Sequence, residues 1–140
     1  MNRSILRCGV VVAALFVLST GCATTVALQA SSRTPAAAGS VKTSKDGQGN
    51  LKLDVSVDYL PNPFELDRSL TTFVVWSIAD DGGRVRNMGQ LQIDSHRHGS
   101  VELVTPLADF KLLVTAEASG TAEKPSDYVV LQGNIDLPKS

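Results

Sequence analysis

A segment of strict alternation, Leu51 to Tyr59, limits the fold of this chain more than any other feature. Its odd-numbered positions are apolar and its even-numbered positions are polar, in the order LKLDVSVDY. A period of two with one polar face predicts an antiparallel β-strand that buries one face and exposes the other. Such a strand is stable only beside other strands, so the segment predicts a sheet.

A second segment, Thr71 to Ala79, is apolar at both alternating sets of positions. This pattern predicts a central strand that is covered on both faces. Trp76 lies in its middle, where a tryptophan packs in the core or, alternatively, stacks on a ligand. We interpret Trp76 as a core residue.

Further short runs of apolar and β-branched residues alternate with turns that are rich in Gly, Asp, Asn and Pro. Their spacing over about 100 residues predicts an all-β fold, an immunoglobulin-like antiparallel β-sandwich of about seven strands in residues 41–140. The other predicted strands are Val41–Ser44, Val85–Asp94, Ser100–Thr105, Phe110–Ala116 and Tyr128–Leu137. We expect the first and last strands to be exposed edges, and residues 60–69 to be a crossover loop that Phe64 and Leu66 pin to the core.

The first 21 residues are typical of a secretory signal. Arg3 and Arg7 precede an uncharged apolar run, residues 8–18, which at about 1.5 Å per residue is too short to span a bilayer comfortably as a helix. Small residues then lead into Cys22. The alternatives to a lipoprotein signal are an ordinary cleaved signal and an uncleaved anchor.

The segment Leu18-Ser19-Thr20-Gly21-Cys22 resembles the lipobox of bacterial lipoprotein precursors. It departs slightly from the commonest pattern, because Ser19 stands three residues before the cysteine and leucine one place earlier. The resemblance implies that the Gly21–Cys22 bond is cleaved, that Cys22 carries a diacylglyceryl thioether, and that its new amino group is acylated, as by palmitate. Because Ala23 is not Asp, it further implies the outer membrane in a Gram-negative cell.

Residues 22–40 are rich in Ala, Ser, Thr, Gly and Pro, and this composition predicts a flexible linker after the lipidated cysteine. The sequence thus divides into a signal peptide (1–21), a lipidated linker (22–40) and a sandwich domain (41–140). The 13 basic residues, less Arg3 and Arg7, leave 11 against 14 acidic residues, so the processed chain has a net charge of about −3. This balance does not favour nucleic acid binding.

The only cysteines are Cys8, within the signal, and Cys22. The predicted domain therefore has no disulfide partner, no cysteine nucleophile and no thiolate zinc site. The chain has no Gly-x-Ser-x-Gly elbow, Walker loop or dinucleotide fingerprint, and we predict that it is not an enzyme. Covalent lipid on Cys22 is the only expected prosthetic group.

His96 and His98 are the weak candidates for a metal site. In an extended segment both imidazoles point to one side, which suits Zn²⁺ or Cu²⁺, and Asp94 is a possible third ligand. Arg97 between them opposes a cation, so a solvated hairpin turn is the favoured interpretation. Asp80 and Asp81 lack the spacing of a calcium loop and are typical of a hairpin turn.

The stretch from Phe73 to about Leu131 resembles the carboxy-terminal extracytoplasmic domain of the anti-sigma-K factor family. The matching segments are Phe73–Trp76, Gly82-Gly83, Gly89-Gln90-Leu91, Phe110–Glu117 and Pro125-Ser126. The chain has neither the family's zinc-binding anti-sigma domain nor its spanning helix, so the resemblance implies fold and not sigma-factor inhibition.

These features predict a non-enzymatic, lipid-anchored lipoprotein of the bacterial cell envelope that acts as a binding or structural module. Its expected partners are the membrane, through the lipid, and another envelope protein that adds a strand at an exposed edge. The alternatives are a sensory or regulatory component of an envelope signalling system and, on His96 and His98, a metal-binding protein.

Overall fold

The computed structural model describes residues 23–136, which are almost entirely β-structure. The elements in chain order are β1 Thr24–Ala30, β2 Ala38–Lys45, β3 Leu51–Asp58, α1 Pro63–Leu66, β4 Thr72–Ala79, β5 Val85–Leu91, β6 Gly99–Thr105, β7 Asp109–Glu117 and β8 Val129–Asp136. Every strand pair is antiparallel. The predicted all-β antiparallel class is confirmed.

Strands β2 to β8 form the predicted seven-stranded sandwich. Together with β1 they make one hydrogen-bonded sheet in the order β5-β4-β7-β8-β1-β2-β3-β6, whose two layers are β2-β3-β6 and β5-β4-β7-β8. The chain crosses between these layers after β3, after β5 and after β6, as it does in immunoglobulin-like domains. The alternation in β3 is confirmed for its four leucines and valines, which are buried, but it is wrong for Tyr59, which follows the strand and is exposed.

Strand β1 is an eighth strand, and it lies where the sequence predicted a flexible linker over residues 22–40. Thr24–Leu28 pair with β2, whereas Gln29 and Ala30 pair with β8. The linker prediction is therefore wrong for residues 24–40, and the sheet begins at Thr24 rather than at Val41. β1 joins the two layers along one side, and the other side stays open between β5 and β6, where an isolated bridge links Ile93, two residues after β5, to Gly99 in β6.

Leu28 explains why β1 is held in the sheet despite its weak apolar composition. Its side chain is buried in the core, and the residues facing it across β2 and β8 are Gly39 and Gly133. A Cβ atom at Gly133 would lie 2.8 Å from Leu28 Cδ2, and one at Gly39 would lie 3.2 Å from Leu28 Cδ1. The two glycines thus leave the space that one leucine fills, and its burial stabilises β1 by the hydrophobic effect.

Trp76 is fully buried, as predicted, but it lies outside the main core. It packs with Val74 and Leu113 on the outer face of the β4–β7 pair, together with Ala122 of the loop 118–128. Its indole Nε1 donates a hydrogen bond of 2.8 Å to the Thr115 hydroxyl, which donates to Glu117 Oε1. The backbone N–H of Ser126 donates to the same oxygen, so this chain of bonds ties the loop over the tryptophan.

The prediction that the strands Val41–Ser44 and Tyr128–Leu137 are exposed edges is wrong. Val41–Ser44 lies within β2, between β1 and β3, and the described part of Tyr128–Leu137 lies mainly in β8, between β7 and β1. The cause is β1, which pairs with both strands and so covers the edges that a seven-stranded sandwich would expose. The free edges are β5 and β6.

The two ends of the sandwich differ in their connections. At the end where Thr24 lies, the Thr24 end, three connections of three to five residues follow β2, β4 and β6. At the opposite end, the loop end, four connections of seven to thirteen residues cover residues 31–37, 59–71, 92–98 and 118–128. The strands alternate in direction, so every long connection lies at one end.

Candidate functional site at the loop end

Cys22 and Gly21, the predicted lipidation and cleavage residues, lie outside the described residues, and their roles remain predictions. The structure does show that β1 begins at Thr24, so Ala23 alone separates Cys22 from the sheet. No helix within residues 23–136 has the length and apolar character needed to cross a bilayer.

The tip of the β5–β6 connection is organised by Asp94. Its Oδ1 accepts the backbone N–H groups of His96 at 2.8 Å and His98 at 3.0 Å. The hydrogen bond from the His98 N–H, with that from His96 and the positive charges of both imidazoles, lowers the pKa of Asp94 below its ordinary value. The sequence prediction of a polar turn is confirmed, and Asp94 shapes the turn through its Oδ1.

The two histidine rings have separate partners. His98 Nδ1 lies 2.5 Å from Asp58 Oδ1 at the end of β3, whereas His96 Nδ1 lies 3.4 Å from the hydroxyl of Ser95. Within the described part of the chain, no three His, Cys, Asp or Glu side chains are grouped closely enough to hold a metal ion. The geometry therefore gives the metal hypothesis no support.

Tyr59 and Arg97 carry local backbone strain. They are the only residues other than glycine that have positive φ among those the structure describes, at 58° and 66°. The left-handed conformation is unfavourable for a residue with a bulky side chain, and such strain is of order 1–3 kcal/mol. The two strained residues are also adjacent in space, because the Leu60 N–H donates to the Arg97 carbonyl at 3.2 Å.

Ion pairs and ring contacts connect the long loops to one another. Arg97 Nη2 lies 3.1 Å from Glu65 Oε1, which joins connection 92–98 to connection 59–71. The Tyr128 hydroxyl donates to Asp67 Oδ2, and the guanidinium of Arg33 lies 4.6 Å from the centroid of the Tyr128 ring. The connections 92–98 and 118–128 are thus linked directly to residues 59–71, and the connection 31–37 is linked to them through the Tyr128 ring.

Two aromatic rings at this end are exposed to solvent. Tyr59 is 63% exposed and meets the His98 ring edge-on, with 6.1 Å between centroids; Phe64 is 59% exposed. The prediction that Phe64 pins the loop to the core is wrong, whereas the same prediction for Leu66 is confirmed, because Leu66 packs against the core. Phe64 is held outward because Pro63, before it in α1, is the residue that is buried. The Asn62 N–H donates to Glu65 Oε2, which closes this short turn.

Phe64 borders a cleft of about 350 Å³ between α1 and the neighbouring ends of β4 and β5. Its polar side chains are amides and hydroxyls, from Asn62, Thr71, Thr72, Gln90 and Gln92, and no ionisable residue lines it. A second, more open depression shares Gln92 and Ile93 with the cleft and contains Asp58, Asp94 and His98. The loop end therefore has a neutral cleft beside a charged one.

The turn at Asp80 and Asp81 lies at the other end of the molecule. Gly83 donates its N–H to Asp81 Oδ1 at 2.9 Å, and Gly82 donates to the Ala79 carbonyl at 2.8 Å. These bonds close the turn between β4 and β5, as the sequence predicted.

No protein-family model matches the sequence, and no curated protein matches it. The resemblances to bacterial lipoproteins and to the anti-sigma-K factor domain therefore remain predictions from the sequence.

Proposed function

We propose that this chain is a non-enzymatic lipoprotein of the bacterial envelope, anchored through lipid on Cys22, that binds its partner at the loop end. The observation that carries the proposal is positional. The lipobox-like cysteine stands two residues before β1, at the Thr24 end, while the strained and exposed aromatic residues lie at the opposite end.

A lipid at Cys22 would place the Thr24 end at the membrane surface. Two residues of extended chain span roughly 7 Å, so the domain has little freedom to move away from the headgroups. The strands have seven to nine residues and are about 25 Å long, and the loop end would face away from the bilayer by that distance. Two or three acyl chains hold a protein stably on a membrane, because each buried CH₂ contributes about 0.8 kcal/mol.

Substitution of Cys22 tests this proposal. Wild-type chain expressed in a bacterial host should fractionate with membranes, and mass spectrometry should find an acylated cysteine at its amino terminus. Cys22→Ala should abolish acylation and release the product from the membrane fraction. Cys8→Ala is the matched control, because it removes the other cysteine within the predicted signal and should change neither result. Equal membrane attachment of Cys22→Ala and wild type would contradict the proposal.

A second candidate function is that of a sensory or regulatory component of envelope signalling, on the anti-sigma-like segments. Those segments lie in β4, the β4–β5 turn, β5, β7 and the loop that covers Trp76, and the three strands are neighbours in the sheet. A gene for a sigma factor or a sensor kinase beside this one would support the candidate, and an unrelated neighbourhood would count against it.

A further inference from the structure

The exposed rings and the neutral cleft at the loop end carry an inference that rests on the proposed function and gives it a ligand. We propose that Phe64 and the amide-lined cleft form a binding site for a neutral oligosaccharide, with Tyr59, which packs on His98 of the adjoining depression, at the far end of the site.

Neither aromatic ring is explained by the stability of the fold. Phe64 leaves more than half of its surface in water, so its burial contributes little to folding. Tyr59 combines a ring that is 63% exposed with a left-handed backbone, a conformation that glycine or asparagine adopts more easily. An exposed ring on a strained backbone points to a role in binding.

The segments that carry the two rings are fixed by hydrogen bonds and contacts, which lowers the entropy lost when a ligand binds. Phe64 stands on a one-turn helix that is closed by Pro63 and the Asn62–Glu65 hydrogen bond, and Glu65 also pairs with Arg97. Tyr59 follows Asp58, whose carboxylate contacts His98, and the His98 ring packs against the tyrosine. Both platforms are therefore preorganised by contacts between loops.

The polar groups of the cleft suit hydroxyl groups rather than charges. Amide side chains offer both donors and acceptors, as sugar hydroxyls require, and the lining has no side chain that could form an ion pair. Thr72 Oγ1 lies 3.3 Å from Gln90 Oε1, and the Gln90 side chain lies directly against Gly120, where a Cβ atom would come within 2.0 Å of its amide. Because residue 120 is a glycine, the Gln90 amide has the space that it occupies beside the cleft.

The side chains of the cleft fit a saccharide. An aromatic face beside amides accommodates the apolar C–H face and the hydroxyl rim of a sugar ring. An extended peptide would instead use strand addition at the free edge of β5, whose Gln90 and Leu91 also line the cleft.

Calorimetric titration tests the site with defined probes, the β-1,4-linked tetrasaccharides of N-acetylglucosamine, glucose and mannose. The full chain in detergent should bind at least one of them with a Kd below about 1 mM. Phe64→Ala and Tyr59→Asn should each weaken that binding by about tenfold, because each removes one stacking face. Val104→Ala is the matched control, since Val104 is 55% exposed but lies on β6 near the Thr24 end, and it should bind as wild type does.

Circular dichroism should show that both ring variants stay folded, because neither ring is buried. The absence of binding to all three probes would overturn the inference, as would binding that both ring variants retain. Capture of a peptide at the same rings without saccharide binding would also refute the ligand class. Cys22-dependent acylation is measured separately, so failure here would leave the proposed anchoring intact.

Discussion

The two ends of this sandwich are built by different kinds of interaction. At the Thr24 end each turn is closed within itself: Asp46 accepts the N–H groups of Gln48 and Asn50, and Asp81 accepts that of Gly83. At the loop end the connections depend on one another, through pairs such as Arg97–Glu65 and Asp58–His98.

This difference separates folding from binding. Short turns with their own hydrogen bonds return the chain from strand to strand and expose no large ring. Long loops that hold one another are able to keep an aromatic side chain in water and a backbone under strain, because neighbouring contacts stabilise the whole arrangement. We therefore place the Thr24 end, with its short turns, at the membrane, and the loop end, with its long connections, towards a ligand.

Strand β1 pairs with both β2 and β8, so a substitution that weakens it has the largest expected effect on stability. Leu28→Ala should lower the free energy of unfolding by about 2–5 kcal/mol, because it leaves a cavity between β2 and β8. Urea unfolding of the detergent-solubilised protein measures the change. Thr25→Ala is the matched control on the exposed face of the same strand, and we expect a change within about 0.5 kcal/mol.

A loss for Leu28→Ala no larger than that of Thr25→Ala would show that β1 is dispensable. In that case the original expectation of a loose segment before residue 41 would regain support, and the short connection between Cys22 and the sheet would no longer hold.

A smaller effect on stability is expected when one aspartate from each end is substituted, Asp46 at the Thr24 end and Asp94 at the loop end. Hydrogen bonds lower the pKa of Asp46, first that from the Gln48 N–H, and the pKa of Asp94 is lowered first by the His98 N–H. A depressed carboxyl pKa stabilises the fold above the ordinary value near 3.8, and this contribution disappears as pH falls through the folded-state value. Asp46→Asn and Asp94→Asn should therefore destabilise the protein at about pH 5 and approach wild type towards about pH 2.

Salt distinguishes the two turns. The imidazole charges of His96 and His98 contribute to the lowered pKa of Asp94, whereas hydrogen bonds alone lower that of Asp46. Added salt screens charges at the surface. The destabilisation by Asp94→Asn should consequently shrink in high salt more than that by Asp46→Asn, as measured by thermal unfolding at pH 5. Equal salt responses would mean that the charges at the loop end have no part in its turn.

The sandwich itself was predictable because its signals are local. The period of two in β3, the doubly apolar β4 and the Asp-Gly turns each follow from a few neighbouring residues. Strand β1 was not, because only Val26 and Leu28 give it an apolar face, and its stability comes from Gly39 and Gly133, which are distant in sequence. The missed strand also explains the wrong edges, since β1 covers both of them.

The site at the loop end was only partly predictable. The sequence predicted the turn around His96 and His98 but not their separate partners. His98 meets Asp58 only through the tertiary structure, and the contact of His96 with Ser95 depends on a side-chain rotamer. The exposure of Phe64 was missed, since a large apolar residue in a loop is usually interpreted as a contact with the core. The signal that was available is Pro63, which begins α1 and turns the next residue outward.

The account depends on the orientation of the domain on the membrane, and two fluorescent labels measure it directly. In the proposed processed form Cys22 is the only cysteine and carries lipid, so Gly47→Cys at the Thr24 end and Ser95→Cys at the loop end would each give one reactive thiol at an exposed position. In vesicles that contain spin-labelled headgroups, we predict strong quenching of the label at position 47 and weak quenching of the label at position 95. Equal quenching at both positions, or stronger quenching at position 95, would contradict the account.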